Sequence, residues 1–145
     1  TWSTYSDARV KTNIREEVKG LEFITRLHPV TYHRDVDRQT ALTGNQPVNF
    51  YPEKYDIEKI KFSGFLAQEV EEAANASGYE FSGLTLPKND HDLYTLSYEA
   101  FVVPLVKGMQ EQQAMIEELQ NTNAKQAQLI AALEARLSEL EKKVK

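Results

Sequence analysis

The sequence holds no cysteine, one tryptophan, two methionines and only six glycines among its 145 residues. Without cysteine there is no disulfide framework, no thiol chemistry and no Cys/His zinc spacing. The glycines are scattered, so no glycine-rich phosphate loop forms, and neither a cofactor nor a metal is expected. No apolar run reaches the length of a membrane span, which argues against a membrane partner. Positive charge is in deficit: 17 Lys and Arg stand against 22 Asp and Glu, a formal net charge of −5. That balance argues against a nucleic-acid surface. No signal peptide is visible, and the chain opens without methionine, so it reads as the C-terminal piece of a longer protein. What is present suits a folded core: 41% of residues are apolar and 10% aromatic. The length allows one domain, or a smaller one plus an extension.

Residues 1–12 alternate loosely (Trp2, Tyr5, Val10) and read as an extended arm or strand. Asn13 and Glu16 have capping-box spacing, and Ile14, Val18, Leu21, Ile24 and Leu27 fall at helical intervals. The expectation is a helix from about 14 to 27, with Gly20 as a weak point and Pro29 as the stop. Val30 to Arg34 reads as a strand. The polar stretch 35–58, with Gly44-Asn45-Gln46-Pro47 and Tyr51-Pro52, reads as a long loop or hairpin arm. Residues 59–65 alternate and should pair with 30–34. A helix from Leu66 to about Ala76 should close at Asn75-Ala76-Ser77-Gly78. Residues 79–92 read as a compact loop packed by Tyr79, Phe81 and Leu84.

From Tyr98 onward the periodicity is strong. Leu105, Met109, Gln112, Ile116, Leu119, Asn123, Gln126, Ile130, Leu133, Leu137, Leu140 and Val144 alternate four and three apart without a slip. This heptad seam predicts a coiled coil, a rod of roughly 60 Å at about 1.5 Å per residue. Arg136 at a g position and Glu141 at the next e form an expected inter-chain ion pair that helps register. Polar layers at Gln112, Asn123 and Gln126 lower stability and limit register slips. Asn at an a position is often a dimer specifier, whereas glutamines in two d layers need a roomier axis. The architecture expected is therefore α+β: a small mixed head of short strands and helices (6–97), then a long C-terminal helix (98–145) in a parallel coiled coil. Residues 1–5 would be a segment upstream of the head.

The start of the chain carries the chemistry. In Tyr5-Ser6-Asp7-Ala8-Arg9-Val10-Lys11, a hydroxyl and an amine lie five residues apart. A serine becomes a nucleophile when a base takes its proton, and an uncharged lysine is such a base. Five residues place two side chains on opposite faces of a strand and about 140° apart on a helix. A Ser6–Lys11 contact therefore needs a bend, or a second copy of the chain; the bland alternative is two solvated surface residues.

Ser-Asp-x-Arg-x-Lys at 6–11, followed by Asn13-Ile14, resembles the opening of the peptidase S74 family. This is the intramolecular chaperone domain at the C-terminus of phage endosialidase tailspikes and tail fibres. Further resemblance lies in Leu27-x-Pro29-Val30-x-Tyr32, in Gly64 to Glu71, and in Leu96-x-Tyr98 leading into a long helix, all in family order. The family is similar in kind to the autoprocessing domain of the membrane-bound myelin regulatory factor. The resemblance implies a homotrimer, an upstream fibre or tailspike segment of the same polypeptide as partner, and a phage tail-fibre precursor assembled in the bacterial cytoplasm. It also implies self-cleavage of the Tyr5–Ser6 bond, with Ser6 as nucleophile and Lys11 as base, then acid. Burial and the positive Arg9 would favour a neutral Lys11, whereas Asp7 opposes it. Asp7 is therefore placed as an orienting group, paired with Arg9, and Asn13 and Gln68 as further supports. Gln68-Glu69 has an equally weighted alternative as an ordinary acidic helix start. A scaffold that trimerises without cutting, as a permanent cap at a fibre tip, is the rival reading. A release domain for a membrane-tethered transcription factor is a third.

Other constellations are weaker. Spacing gives His28, His33 and His91 no Ser-His-Asp arrangement. Asn89-Asp90-His91-Asp92 lacks the alternation and terminal glutamate of a calcium loop, so turn chemistry accounts for it better.

Overall fold

The computed structural model describes residues 5–44 and 53–144. The core is built on aromatic rings brought together from distant parts of the chain. Phe23, on the one-turn helix α1 (Leu21–Ile24), is fully buried. Tyr79, Phe81 and Phe101 surround it, with ring centroids at 5.2, 5.0 and 6.3 Å. Phe65 joins through Phe101 at 5.2 Å. Helix α3 (Ala67–Ser77) closes the core with Val70, Ala73 and Ala74. Those positions fall at i, i+3 and i+4, one face of a helix, which leaves Glu72 to solvent. Gly78 ends α3 in the left-handed conformation (φ 61°), and the Tyr79 N–H donates to the Ala74 carbonyl at 2.9 Å.

Two small antiparallel sheets flank this core. Strands β1 (Val30–Tyr32) and β2 (Phe62–Gly64) pair with Val30 opposite Gly64 and Tyr32 opposite Phe62. The expected pairing of these two stretches is present, and the facing rings of Tyr32 and Phe62 stack at 5.8 Å. Strands β3 (Leu84–Thr85) and β4 (Thr95–Leu96) form the second pair. The compact loop expected over 79–92 thus contributes a strand, while Phe81 is buried and Tyr79 and Leu84 pack against the core as anticipated.

Helix α4 (Val102–Val144) runs for 43 residues after a 3-10 turn at Tyr98–Phe101. Pro104 sits in its first turn, where a missing N–H costs nothing. Pro104 and Gly108 are buried where α1 crosses α4. The approach is close: a Cβ on Gly20 would lie 2.7 Å from the Gly108 nitrogen. At this crossing Glu111 of α4 accepts the Leu21 N–H at 2.7 Å, so a carboxylate from 90 residues away caps α1.

Three expectations need correction. The helix predicted over 14–27 is confined to Leu21–Ile24. Asn13 adopts φ 53°, a left-handed conformation that cannot serve as an N-cap, so the capping box does not form. Residues 11–20 instead run without helix to a groove where Arg15, Glu16 and Val18 face Val103, Val106 and Lys107 of α4. Gly20 has ψ −107°, outside the helical range, because the chain must turn there against Gly108. Second, the polar stretch after β1 holds helix α2 (Val36–Thr43), capped by the Asp35 carboxylate on the Arg38 N–H at 2.8 Å. Its signals were present: Asp at the N-cap and Gly44 in the left-handed position after the last turn. Third, residues 59–61 do not join the strand; Asp56–Lys59 is a 3-10 turn and β2 starts at Phe62. The rest of the expected loop, residues 45–52, lies outside the described residues.

Candidate active site

The segment 5–13 builds a tight reversal from a few local bonds. The Asp7 carboxylate accepts the Arg9 N–H at 2.9 Å and caps a 3-10 turn over Ala8–Val10. The Val10 and Lys11 N–H groups donate to the Asp7 and Ala8 carbonyls, each at 3.1 Å. Arg9 folds back so that its guanidinium clamps both oxygens of Asp7, Nε to Oδ1 at 3.0 Å and Nη2 to Oδ2 at 2.6 Å. These bonds reverse the chain between Asp7 and Lys11. Lys11 is thereby returned to Ser6, and Nζ lies 2.8 Å from Oγ. The bend that this spacing demands exists within one chain. Asp7 and Arg9 are the bracket that holds it.

The electrostatics are simple. The Arg9 guanidinium, and then its backbone N–H, hold the Asp7 carboxyl below the usual carboxylate range, and the same contact raises Arg9. A carboxyl lowered in this way supports the turn at neutral pH, and the support is lost only as pH falls through the lowered value. Carbon-detected NMR titration should place the Asp7 midpoint below the ordinary aspartate range, and Arg9→Ala should raise it, though not all the way back, because the N–H of residue 9 still donates to the carboxylate. A midpoint unchanged by Arg9→Ala would show that the clamp does not persist in solution.

Residues 5–17 are all exposed, so the apolar shelter anticipated around Lys11 is absent from its own chain. Among the described residues, every hydrogen bond and ion pair of segment 5–13 stays within that segment. Asn13, two residues beyond Lys11, adopts a left-handed conformation (φ 53°) and, among the described residues, makes no hydrogen bond to Ser6 or Lys11. Gln68 stands elsewhere, on the first turn of α3, lining a groove with Tyr32, Arg34, Leu66, Tyr94 and Tyr98. It is not brought to Ser6 within one chain. Its neighbour Glu69 has Oε2 3.4 Å from His28 Nδ1.

Among the described residues, none of the histidines makes a hydrogen bond to Ser6. His33 Nδ1 lies 2.8 Å from the Glu58 carbonyl. The loop around His91 is closed by turn bonds, His91 N–H to Asn89 Oδ1 at 2.9 Å and Lys88 N–H to Asp92 at 3.0 Å. Sequence reasoning missed Tyr98, whose hydroxyl accepts the Phe65 N–H at 3.1 Å and lies directly over Gly64. Both partners lie in blocks that carry the family resemblance, Gly64 to Glu71 and Leu96-x-Tyr98, and that was the signal for the tie.

Compared with known families, residues 6–79 match the model described as peptidase S74, chaperone of endosialidase. That is half of the chain. The chain belongs to the peptidase S74 family. For this S74 domain the match opens at Ser6, the hydroxyl of the dyad, and runs through α3 to Tyr79. Helix α4 lies beyond it. No curated protein and no solved structure matches the chain. Among the described residues, no helix is long and apolar enough to cross a membrane.

Proposed function

We propose that this S74 domain is an intramolecular chaperone of a phage tail-fibre or tailspike protein that trimerises through α4 and then releases itself. The observation that carries the reading is the Lys11 Nζ to Ser6 Oγ contact of 2.8 Å at the residue where the family match begins. The heptad seam supports the assembly half. Its nine apolar residues, Leu105 to Val144, are exposed in the single chain, between 47% at Ile116 and 87% at Val144, so they lack a partner that a second and third copy would supply.

In the proposed reaction a neutral Lys11 takes the Ser6 hydroxyl proton while Oγ attacks the Tyr5 carbonyl carbon. The C–N bond breaks as Lys11 returns the proton to the Ser6 nitrogen, leaving Tyr5 esterified to Oγ. Water then hydrolyses the ester, giving a Tyr5 carboxylate and a domain that begins at Ser6. Exposure of Tyr5 and Ser6 leaves the ester open to water. Asp7 and Arg9 act by positioning, since they fix the turn and do not touch the reacting atoms. Trimerisation before release has a physical purpose. Joining three chain ends turns a three-body encounter of upstream chains into an intramolecular one. Losing the domain afterwards leaves the fibre kinetically trapped, without the template that folded it.

Intact mass spectrometry of the domain behind its upstream segment tests this. The expected result is a product beginning at Ser6 in the wild type and full-length chains in Ser6→Ala and Lys11→Ala. Full-length wild type would instead favour the permanent trimeric cap, in which the dyad is a surface contact.

A further inference from the structure

The seam of α4 accounts for a and d positions, yet the first turns of the helix carry more apolar surface than a seam needs. Counting heptads back from Leu105 (d) and Met109 (a) makes Val102, the first residue of α4, an a position. Val103 and Val106 then fall at b and e, and they are 56% and 51% exposed. In a coiled coil, b faces solvent and e carries charge. Aliphatic residues at both positions, where the helix leaves the head, mark a surface meant to be covered. The opposite flank of α4 is already occupied: Phe101 (g), Pro104 (c) and Gly108 (g) are buried in the chain's own head.

Register decides what meets the part of this flank that the chain's own segment 15–18 leaves exposed. In a parallel coiled coil the g residue of one helix faces the e residue five positions on in its neighbour. That sets the head surface over Phe101, itself 4% exposed, against Val106 of the next copy. Phe101 is not alone there: Phe65 packs on it at 5.2 Å and Tyr98 at 5.9 Å. Leu66 and Tyr98 border the same edge, each 47% exposed, and both line the groove that holds Gln68.

We infer that the heads pack on one another as well as on their own helices, the Val103–Val106 stripe of each copy docking on the Phe65–Leu66–Tyr98 edge of the next. The partner is a second copy of this chain. Its chemistry is aliphatic against aromatic, with Arg15, Glu16 and Lys107 bordering the first face and Arg34 and Asp92 the second. The inference rests on the parallel trimer of the proposed function. It deepens that reading because segment 15–18, which leads back to the dyad, lies along the same Val103–Val106 flank. The stretch that carries Ser6 and Lys11 therefore departs from the junction between two heads.

The absence of cysteine makes the test direct. Leu66→Cys with Val106→Cys in one chain, treated with a short bismaleimide, should give covalent trimers on a denaturing gel. Each single-cysteine variant should remain monomeric on that gel. Charge at a b position adds a second reading: Val103→Asp should weaken the trimer at least tenfold in a dilution series followed by light scattering. A trimer by light scattering with no inter-chain cross-link and no effect of Val103→Asp would overturn the head interface while leaving the stalk trimer intact. A wild type that is monomeric by light scattering would remove the trimer and the interface together.

Discussion

Phe23→Ala is expected to cost the head about 3–5 kcal/mol, the range for removing a fully buried phenylalanine when its neighbours cannot collapse into the space. Collapse is hindered here because the lining is itself rigid. Tyr79, Phe81 and Phe101 approach Phe23 from three separate parts of the chain, and Phe81 and Phe101 already touch at 4.5 Å. Tyr79 cannot move in freely either, since carrying its hydroxyl into an apolar space would strip it of hydrogen-bond partners. A domain of this size has about 5–15 kcal/mol in total, so the loss approaches unfolding. Near-ultraviolet circular dichroism is the readout, because the ring cluster dominates that signal whereas α4 dominates the far-ultraviolet. The midpoint of urea unfolding followed there should fall steeply, and Phe23→Leu should fall much less. A loss under about 1 kcal/mol would mean that the rings do not form the core in solution.

Which parts of this fold are legible in the sequence follows from how locally they are determined. Helix α4 is legible because its heptads repeat over 43 residues and nothing else produces that period. Helix α3 is legible because its apolar stripe and its stop at Gly78 are both local. The pairing of β1 with β2 is legible from composition and alternation. The failed helix over 14–20 has the opposite character. Ile14 and Val18 stand at helical spacing, but Val18 is held by α4 residues about 85 positions on, and Gly20 is shaped by its contact with Gly108. No window centred on residue 17 contains those partners. Helix α2 was hidden for another reason, since a polar surface helix has little apolar period and only its caps betray it. At the candidate site the motif marked Ser6, Lys11, Asp7 and Arg9, and these do converge on one turn. The support expected from Gln68 is not met in one chain, because α3 is oriented by the core and not by the N-terminal segment.

Replacing Leu119 and Leu133 together by Asp should dissociate the assembly completely. Both residues lie in d layers and are 60% and 57% exposed in a single chain, so neither contributes to the head's own core. In the proposed trimer each substitution sets three carboxylates around one axis. Burying an unpaired carboxylate costs several kcal/mol, and mutual repulsion adds to it. Two such layers exceed what the remaining seam can offset, because Gln112, Asn123 and Gln126 already interrupt it with polar side chains. Light scattering should then give the mass of one chain. Far-ultraviolet circular dichroism should lose much of its helical signal, since a helix of this kind beyond its head is marginal without tertiary packing. The near-ultraviolet signal should persist, which separates lost assembly from lost folding. Cleavage is the second readout on the same sample. Lys11 is exposed in the isolated chain, so in the proposed reaction any apolar cover over it comes from a neighbouring copy or from the upstream fold. If a neighbour supplies it, the monomer should release no Ser6 product over a time in which the trimer is fully processed. Cleavage at full rate in the monomer would place the whole reaction in one chain, and trimerisation would then serve folding alone.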